Sequence, residues 1–340
     1  MLVRKPAEPH SSTSAVSPLA AGLEILGDPW SFLLVQEAFF GVRRFDDFQR
    51  NLEIARNTLT DRLRQLVEHG IFTKIAYQHN PRRYEYRLTE KGLDEYPYAI
   101  MLLFWGDAWL EKDSAPRVVL THTRCGAKIN PVCRCQACKR EVTPDNVWID
   151  AGIAPTVSRS RNLKVRYSSR PALYFAGRVT STARTLSLIG DRWSFSILWL
   201  AVAGITRADQ FHRILGIARP ILGNRIKRLI AGGILQRKLY SQRPPRYEYF
   251  PTEKGQSLIP ALLTFYEWTR KWFGEDMAAP RGVVHKPCGH SLHIEIDCGN
   301  CGLPLKARDV KFEITPTTPA ARGTGRKAKK QSRGARPRKP

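Results

Sequence analysis

Acidic residues are scarce in this chain of 340 residues. It has 30 aspartates and glutamates against 55 lysines and arginines, which leaves a net charge of +25. An excess of this size favours polyanionic partners, with nucleic acid first and an anionic membrane surface second.

Long apolar runs are absent as well. No stretch approaches the roughly 18 apolar residues of a membrane-spanning helix, and the first residues lack the apolar core of a signal peptide. We therefore expect a cytoplasmic protein with no membrane partner. The sequence also lacks a glycine-rich phosphate loop, a nucleophile elbow and a carboxylate cluster at catalytic spacing, so we expect no enzyme.

Acidic residues are missing altogether from the end of the sequence. Residues 318–340 hold nine lysines and arginines among Gly, Pro, Ala and Ser. With almost no apolar surface to bury, this tail is predicted to be disordered. It either solubilises the chain or attracts phosphates without specificity.

Cysteines are few, but they are clustered. Four of the seven lie between positions 125 and 138, and the pattern H-x2-C, nine residues, C-x2-C occurs twice at an offset of 163 residues. Its members are His122, Cys125, Cys135 and Cys138, then His285, Cys288, Cys298 and Cys301. Each set supplies four ligands of the kind that hold one tetrahedral zinc ion, so we predict one zinc-ribbon-like segment, with one structural zinc, per copy. A redox switch or a C-x-x-C disulfide is the alternative.

Three further residues fall outside this pattern. Cys133 corresponds to Ile296 at the same offset, so it is either spare or a ligand in exchange with Cys135. His290 and His293 are similar spares in the second copy. Glycine after Cys125, Cys288 and Cys301 helps the backbone turn tightly around an ion.

The same offset extends upstream and reveals a duplication. Of the 87 positions from 23 to 109, 34 are identical to those from 186 to 272 without a gap. In copy one, residue patterns predict helices at 30–40, 45–52 and 56–69, two strands at 71–77 and 84–88, and a helix at 97–110. The same elements are predicted in copy two, 163 residues later. This order is that of a winged helix-turn-helix.

At this point the motifs resemble a known family. GDRW, the IAR helix, the wing motif RPPRYEY and TEKG are similar to the HxlR family of bacterial transcriptional regulators. Members usually hold one module and dimerise through the first and last helices, so the resemblance implies an intrachain pseudo-dimer. Some relatives sense oxidants with a cysteine near the first helix. Ser17 and Thr180 stand there in this chain, so that mechanism is not supported.

The predicted fold class is α+β and mainly helical, with tandem winged helix-turn-helix domains and small zinc-ribbon-like extensions. The predicted boundaries are a flexible N-terminus at 1–16, module 1 at 17–112, a ribbon at 113–150, a basic linker at 151–179, module 2 at 180–275, a ribbon at 276–315 and a disordered basic tail at 316–340.

Each third helix has the length and polarity to enter a major groove. In copy one the predicted DNA-binding residues on this helix are Arg56, Asn57, Thr58, Asp61, Arg62 and Arg64. In copy two they are Arg219, Asn224, Arg225 and Lys227. Copy two has Pro220 and Ile221 in place of Asn57 and Thr58, so we predict more phosphate contact, weaker base discrimination and an asymmetric operator.

The wing tips add basic residues that suit phosphate or minor-groove contact. These are Arg82 and Arg83 in copy one, beside His79, and Arg243 and Arg246 in copy two. The alternative for Arg83 and Arg246 is a structural pairing with Glu85 and Glu248.

The final helix of each copy is rich in apolar and aromatic residues. Trp105 and Trp109 recur as Trp268 and Trp272, four residues apart on one face. Packing in the core or between modules is the preferred interpretation, and a pocket for an aromatic effector is the alternative.

The sequence therefore predicts a cytoplasmic regulator that binds double-stranded DNA sequence-specifically and represses by occupying a promoter. Two alternatives stay open: an RNA-binding or ribosome-associated zinc-ribbon protein, and a redox- or metal-responsive DNA-binding switch.

Overall fold

The computed structural model describes residues 17–80, 82–110, 117–155, 180–274 and 282–315. The predicted flexible N-terminus, most of the basic linker and the basic tail lie outside the described residues. The predictions made for them stay predictions.

The first copy is a helical domain with an antiparallel wing, as expected. Its elements are α1 (Pro18–Leu26), α2 (Pro29–Phe39), α3 (Phe45–Leu52), α4 (Arg56–Glu68), β1 (Phe72–His79), β2 (Arg82–Leu88), α5 (Glu90–Leu93) and α6 (Tyr96–Trp109). Strands β1 and β2 pair with Phe72 opposite Leu88 and His79 opposite Arg82. Helix α1 and the short helix α5 are additions to the helices predicted from residue patterns.

Helices α5 and α6 and then the first cysteine-rich segment follow the first copy's wing and precede the second copy. The second copy then repeats the same order. Its elements are α7 (Ser181–Ile189), α8 (Arg192–Val202), α9 (Ala208–Leu215), α10 (Arg219–Ala231), β6 (Leu235–Gln242), β7 (Pro245–Pro251), α11 (Glu253–Gln256) and α12 (Ile259–Phe273).

Side-chain caps fix the starts of the first two helices in each copy. Asp28 accepts a hydrogen bond from the backbone N–H of Ser31 at 3.2 Å, and Asp191 accepts one from Ser194 at the same distance. Ser17 and Thr180 cap α1 and α7 in the same way. The positions where some relatives carry a sensing cysteine therefore hold helix caps here.

The two copies pack through their first and last helices. Helix α6 lies against α7 and α12, and α12 lies against α1. The indole N–H of Trp105 donates to Ser257 Oγ at 2.9 Å, and that of Trp268 donates to the Lys91 carbonyl at 2.9 Å. Packing between modules is thus confirmed for these two tryptophans.

Close backbone approach at this interface depends on two glycines. A Cβ on Gly22 would lie 2.3 Å from Thr269 Cγ2, and one on Gly106 would lie 2.5 Å from the Ser181 carbonyl and 2.7 Å from Thr185 Oγ1. At the 163-residue offset, Gly22 corresponds to Thr185 and Gly106 to Thr269. Each contact therefore sets a glycine of copy one against a threonine of copy two.

The two cysteine-rich segments form three ribbons by exchanging strands. Their strands are β3 (Arg117–His122), β4 (Pro131–Cys135), β5 (Val147–Ile149), β8 (Val283–His285), β9 (Ile294–Cys298) and β10 (Val310–Thr315). The antiparallel pairs are β3 with β10, β4 with β9 and β5 with β8, so each pair takes one strand from each segment. Cys133 lies directly opposite its counterpart Ile296 in the middle pair.

Candidate nucleic-acid interface and metal centres

Helix α4 buries one face and exposes the other. Leu59, Leu63 and Leu66 are buried against the module, at the spacing of an amphipathic helix. On the opposite face, Arg56 and Asn57 are exposed in the first turn. The structure thus presents two potential base-reading side chains at the helix end that enters a groove in helix-turn-helix proteins.

The remaining predicted readers of α4 differ in their surroundings. Thr58 is half-buried, whereas Asp61 and Arg64 are exposed. Arg64 lies 3.3 Å from Asp61 and 3.9 Å from Glu68 in pairs within the helix, and its side chain is 65% exposed. Exposed pairs of this kind contribute little, so they leave Arg64 available to a phosphate.

Arg62 and Arg225 are predicted from the sequence to contact DNA, but neither side chain faces outward, so that prediction is wrong. Arg62 Nε lies 2.7 Å from Asp28 Oδ2, with both side chains about one-tenth exposed. Arg225 Nε lies 2.9 Å from Asp191 Oδ1 in the second copy. Each arginine joins the recognition helix to the capping aspartate of the second helix, because a buried charge needs a charged partner. The arginine–aspartate pair that recurs in both copies therefore has a structural role.

Helix α10 presents a different surface. Arg219, Asn224 and Lys227 are exposed, as predicted from the sequence. Ile221, which replaces Thr58, is 42% exposed. The helix RPILGNRIKRLIA holds no acidic residue, so its exposed face is more positive than that of α4.

The wing tips present their arginines to solvent. Arg82, Arg83, Arg243 and Arg246 are all exposed. Glu85 accepts a hydrogen bond from Arg87 Nε at 2.8 Å, and Glu248 accepts one from Thr206 at 3.3 Å. The acidic partners suggested for Arg83 and Arg246 are therefore engaged with other residues.

The eight predicted metal ligands form two groups of four. One group contains His122, Cys125, Cys298 and Cys301, and the other contains Cys135, Cys138, His285 and Cys288. In each group the ligand atoms all lie within 4.8 Å of one another. The prediction that each segment closes its own site is wrong, because each group takes two ligands from each segment.

Strand geometry explains this exchange. His122 and Cys125 lie in a turn that closes at once, because Thr121 bridges Lys128. Strand β4 then carries the chain from Pro131 to Cys135, roughly 13 Å at about 3.3 Å per residue. Cys298 pairs with Pro131 at the near end of β4 and Ile294 pairs with Cys135 at the far end. The turn that holds His122 and Cys125 therefore lies beside Cys298 of the second segment, whereas the C-x-x-C of its own segment lies at the other end of β4.

The distances fit a tetrahedral ion. Cys125 Sγ lies 3.9 Å from Cys298 Sγ, and Cys135 Sγ lies 4.0 Å from Cys288 Sγ. His122 Nδ1 lies 3.3 Å from Cys301 Sγ, and His285 Nδ1 lies 3.3 Å from Cys138 Sγ. Four bonds of about 2.3 Å to zinc would set sulfurs about 3.8 Å apart. All seven cysteines are free thiols in the structure, and the two inter-segment sulfur pairs lie well beyond the bond of about 2.05 Å of a disulfide.

Each ligand pair is followed by a residue in the left-handed region. Gly126, Gly289 and Gly302 all have φ of +71°, as the glycines after three of the cysteines suggested. The fourth position is Lys139, with φ of +57°. Its side chain lies 2.5 Å from Glu295 Oε1, across the middle ribbon. Sequence reasoning missed Lys139, although its position after Cys138 could have indicated it.

Burial and backbone N–H donors shift the pKa values of the thiols in opposite directions. Burial raises the pKa of Cys298, but backbone N–H groups of Asn300 and Cys301 and the neighbouring thiols outweigh it and lower that pKa to about 6. The backbone N–H of Arg140 lowers the pKa of Cys138. Burial raises the pKa of Cys133, which belongs to neither group and behaves as a small apolar residue.

The two spare histidines also lie outside both groups. His293 Nδ1 lies 3.1 Å from Glu267 Oε1 and the ring contacts Arg270, so it joins the ribbon to α12. His290 is exposed, and its carbonyl accepts a hydrogen bond from His285.

Within the described residues, no helix is both long and apolar enough to cross a membrane.

Comparison with known proteins places these features in a family. The model of the HxlR-like helix-turn-helix family matches residues 25–114 and 188–277, one match per copy. An uncharacterized HTH-type transcriptional regulator of Mycobacterium tuberculosis is 45% identical over 130 residues, which is 38% of this chain and 82% of that protein. A similarly described regulator of Synechocystis is 36% identical over 116 residues, or 34% of this chain and 86% of its own length.

Among solved structures, the redox regulator HypR in its reduced form is similar. It is 34% identical, with a TM-score of 0.25, and the match covers 26% of this chain and 87% of HypR.

Proposed function

The chain belongs to the HxlR-like helix-turn-helix family, and from this premise we propose that it binds double-stranded DNA sequence-specifically and represses transcription. The observation that carries the proposal is the pair of exposed recognition-helix surfaces, each beside an exposed basic wing. The exposed residues proposed to contact DNA in copy one are Arg56, Asn57, Asp61, Arg64, Arg82 and Arg83. In copy two they are Arg219, Asn224, Lys227, Arg243 and Arg246.

Within this set, copy one should contribute more to base recognition than copy two. Asn57 can address adenine and Arg56 guanine, so α4 has the means for direct readout. Helix α10 offers Arg219, Asn224 and Lys227 without acidic neighbours, which suits phosphate contact. The operator should therefore be an imperfect repeat whose two half-sites lie about one helical turn apart and contribute unequal energy.

One chain should supply both recognition helices. The first and last helices of both modules already pack against each other within the chain, and the exchanged ribbons join the two halves a second time. These contacts support an intrachain pseudo-dimer bound at one chain per operator.

Two structural zinc ions complete the proposal. Four soft or borderline ligands at tetrahedral separation suit zinc, and a shell closed by four protein ligands has no open position for a substrate. His122 and Cys125 would hold one ion with Cys298 and Cys301. His285 and Cys288 would hold the other with Cys135 and Cys138.

Selection of duplexes from a random pool, followed by footprinting of the zinc-loaded chain, tests the DNA-binding proposal. Asn57→Ala should raise Kd for the selected site by about 5- to 150-fold and relax selection at one position, since a bidentate base contact is worth about 1–3 kcal/mol. Asn224→Ala is the matched control in copy two and should change Kd less. Single-stranded RNA is the competitor.

Equal effects of the two variants would contradict the unequal half-sites. Uniform binding that vanishes as salt rises, or a preference for the RNA competitor, would overturn sequence-specific recognition.

A further inference from the structure

An arginine lies against a tyrosine of the wing at the same place in both copies. The guanidinium carbon of Arg44 lies 4.9 Å from the centre of the Tyr77 ring, and that of Arg207 lies 5.1 Å from the centre of the Tyr240 ring. The arginines immediately precede α3 and α9, whereas the tyrosines lie on β1 and β6. Each pair therefore joins the first helix of a helix-turn-helix to its wing.

Both arginine–tyrosine pairs face solvent. Arg44 is exposed and forms no ion pair with any residue that the structure describes, while Tyr77 and Tyr240 are 40% and 42% exposed. Arg207 forms a partly exposed pair with Asp209, with 3.1 Å between Nε and Oδ1. Such pairs contribute little to stability and open readily. Both guanidinium groups are therefore accessible to an anion.

In copy one the pair continues the surface of the recognition helix. The guanidinium carbon of Arg56 lies 4.9 Å from the centre of the Phe45 ring, and Phe45 directly follows Arg44 in the chain. Arg56 begins α4 and is one of the residues proposed to contact DNA. Tyr77 lies on the strand that leads to the wing tip. Arg44 thus lies between the recognition helix and the wing, the two parts of the module proposed to contact DNA.

The two copies differ at the base-reading positions but agree at this pair. At the 163-residue offset, Asn57 and Thr58 correspond to Pro220 and Ile221, whereas the arginine and the tyrosine are identical. Contacts to bases have to differ where two half-sites differ in sequence, while the phosphates are the same in both. A guanidinium that lies flat on an aromatic ring keeps its N–H edge free to donate two hydrogen bonds to a phosphate.

We propose that Arg44 with Tyr77, and Arg207 with Tyr240, are two matched phosphate-binding pairs that contact the DNA backbone between each recognition helix and its wing. The arginine binds a phosphate without reading a base, and the tyrosine ring holds the guanidinium plane in place. This inference rests on the proposed DNA binding and adds the same sequence-independent contact to both half-sites. The pairs supply affinity for any duplex, and the selectivity stays with α4 and α10.

Binding of the zinc-loaded full chain to its selected duplex and to a random duplex, at several salt concentrations, tests the proposal. Arg44→Ala and Arg207→Ala should each reduce the slope of log K against log salt by about 0.9, the value of one phosphate contact. Each should also raise Kd about fivefold on both duplexes at about 0.15 M salt. Tyr77→Leu should raise Kd on both duplexes, and Tyr77→Phe should restore wild-type binding because phenylalanine keeps the ring.

Arg87→Ala is the matched control. Arg87 lies on the same wing, donates a hydrogen bond to Glu85 and is replaced by Phe250 in copy two. Its removal should leave the slope unchanged. An equal loss of slope in Arg87→Ala would reveal a general effect of charge and overturn the proposal.

Two other results would also overturn it: unchanged slopes in Arg44→Ala and Arg207→Ala, or a loss of affinity confined to the selected duplex. If the wild type bound both duplexes equally, the proposed sequence specificity would fail, while the slope on the random duplex would still decide whether the pairs bind phosphate. No binding of either duplex would refute both proposals.

Discussion

Exchange of metal ligands between the two cysteine-rich segments makes a stoichiometric prediction. In the structure, Cys125 shares a group with Cys301 and not with Cys138 of its own segment. Two double variants with identical chemistry separate the arrangements. Cys125→Ser with Cys301→Ser removes two ligands from one group, whereas Cys125→Ser with Cys138→Ser removes one ligand from each.

The expected difference is one tightly held zinc ion per chain. The first variant keeps the group of Cys135, Cys138, His285 and Cys288 whole, with Cys135 Sγ 4.0 Å from Cys288 Sγ and His285 Nδ1 3.3 Å from Cys138 Sγ and 3.4 Å from Cys288 Sγ. It should retain one ion at wild-type affinity. The second variant leaves two three-ligand groups and should retain no ion of that affinity.

Zinc content is measured by inductively coupled plasma mass spectrometry after dialysis against a chelator that removes zinc from three-ligand sites. Wild type should hold two ions, and each single variant one. Structural zinc contributes on the order of 10 kcal/mol to folding in small domains, so thermal unfolding should separate the variants in the same order.

The opposite result would refute the exchanged arrangement. If each segment closed its own site, Cys125→Ser with Cys138→Ser would disable one site only and leave one tight ion, while Cys125→Ser with Cys301→Ser would leave none. Chains that hold no zinc even in the wild type would refute the zinc proposal itself.

Three further predictions concern stability. Arg62→Ala should lower the free energy of unfolding by about 3 kcal/mol, since it leaves Asp28 buried without its cation. Arg64→Ala is the exposed control and should lower that free energy by less than about 1 kcal/mol. Urea denaturation measures both, and equal losses would contradict a stabilising role of the buried pair. Glu95→Leu should raise that free energy by about 1–3 kcal/mol at pH 8, because the Glu95 carboxyl is fully buried with no hydrogen-bond partner among the described residues, and copy two has Leu258 there. Burial raises the pKa of Glu95, so the destabilisation that this carboxyl causes in the wild type grows as pH rises above the unfolded pKa of about 4.3. The stability gained by Glu95→Leu should therefore shrink toward pH 4, and a gain independent of pH would refute this account. Lys139→Gly should be more stable than Lys139→Ala by about 1 kcal/mol, because φ is +57° there; equal thermal stabilities would show that the left-handed backbone costs nothing.

Most of the fold follows from local sequence signals. Helix α3 has the predicted bounds, and α2 and α4 begin and end within one residue of theirs, because apolar periodicity is a local property. The repeat at 163 residues also predicted the matching elements of copy two. The family resemblance further implied that the first and last helices would meet.

Two features could not be read from the sequence. An arginine at a polar helix position has the same pattern whether it points to DNA or to a buried aspartate, so the sequence does not distinguish Arg62 and Arg225 from the exposed arginines of the same helices. The ligand pairs of the two segments are also identical in kind. Grouping them within or between segments gives the same composition, and only the pairing of β4 with β9 decides between the two.

The differences between the copies also give the pseudo-dimer a direction. Pairing copy one with itself would set Gly22 against Gly106 and leave a gap, whereas pairing copy two with itself would set Thr185 against Thr269 and force two side chains into the space of one. The observed pairing matches each glycine with a threonine, so close packing favours one copy of each kind. Recognition helices α4 and α10 therefore stand in a fixed, non-interchangeable order. If they read DNA as proposed, the more selective half-site would define an orientation on the promoter, which a symmetric dimer of single modules lacks.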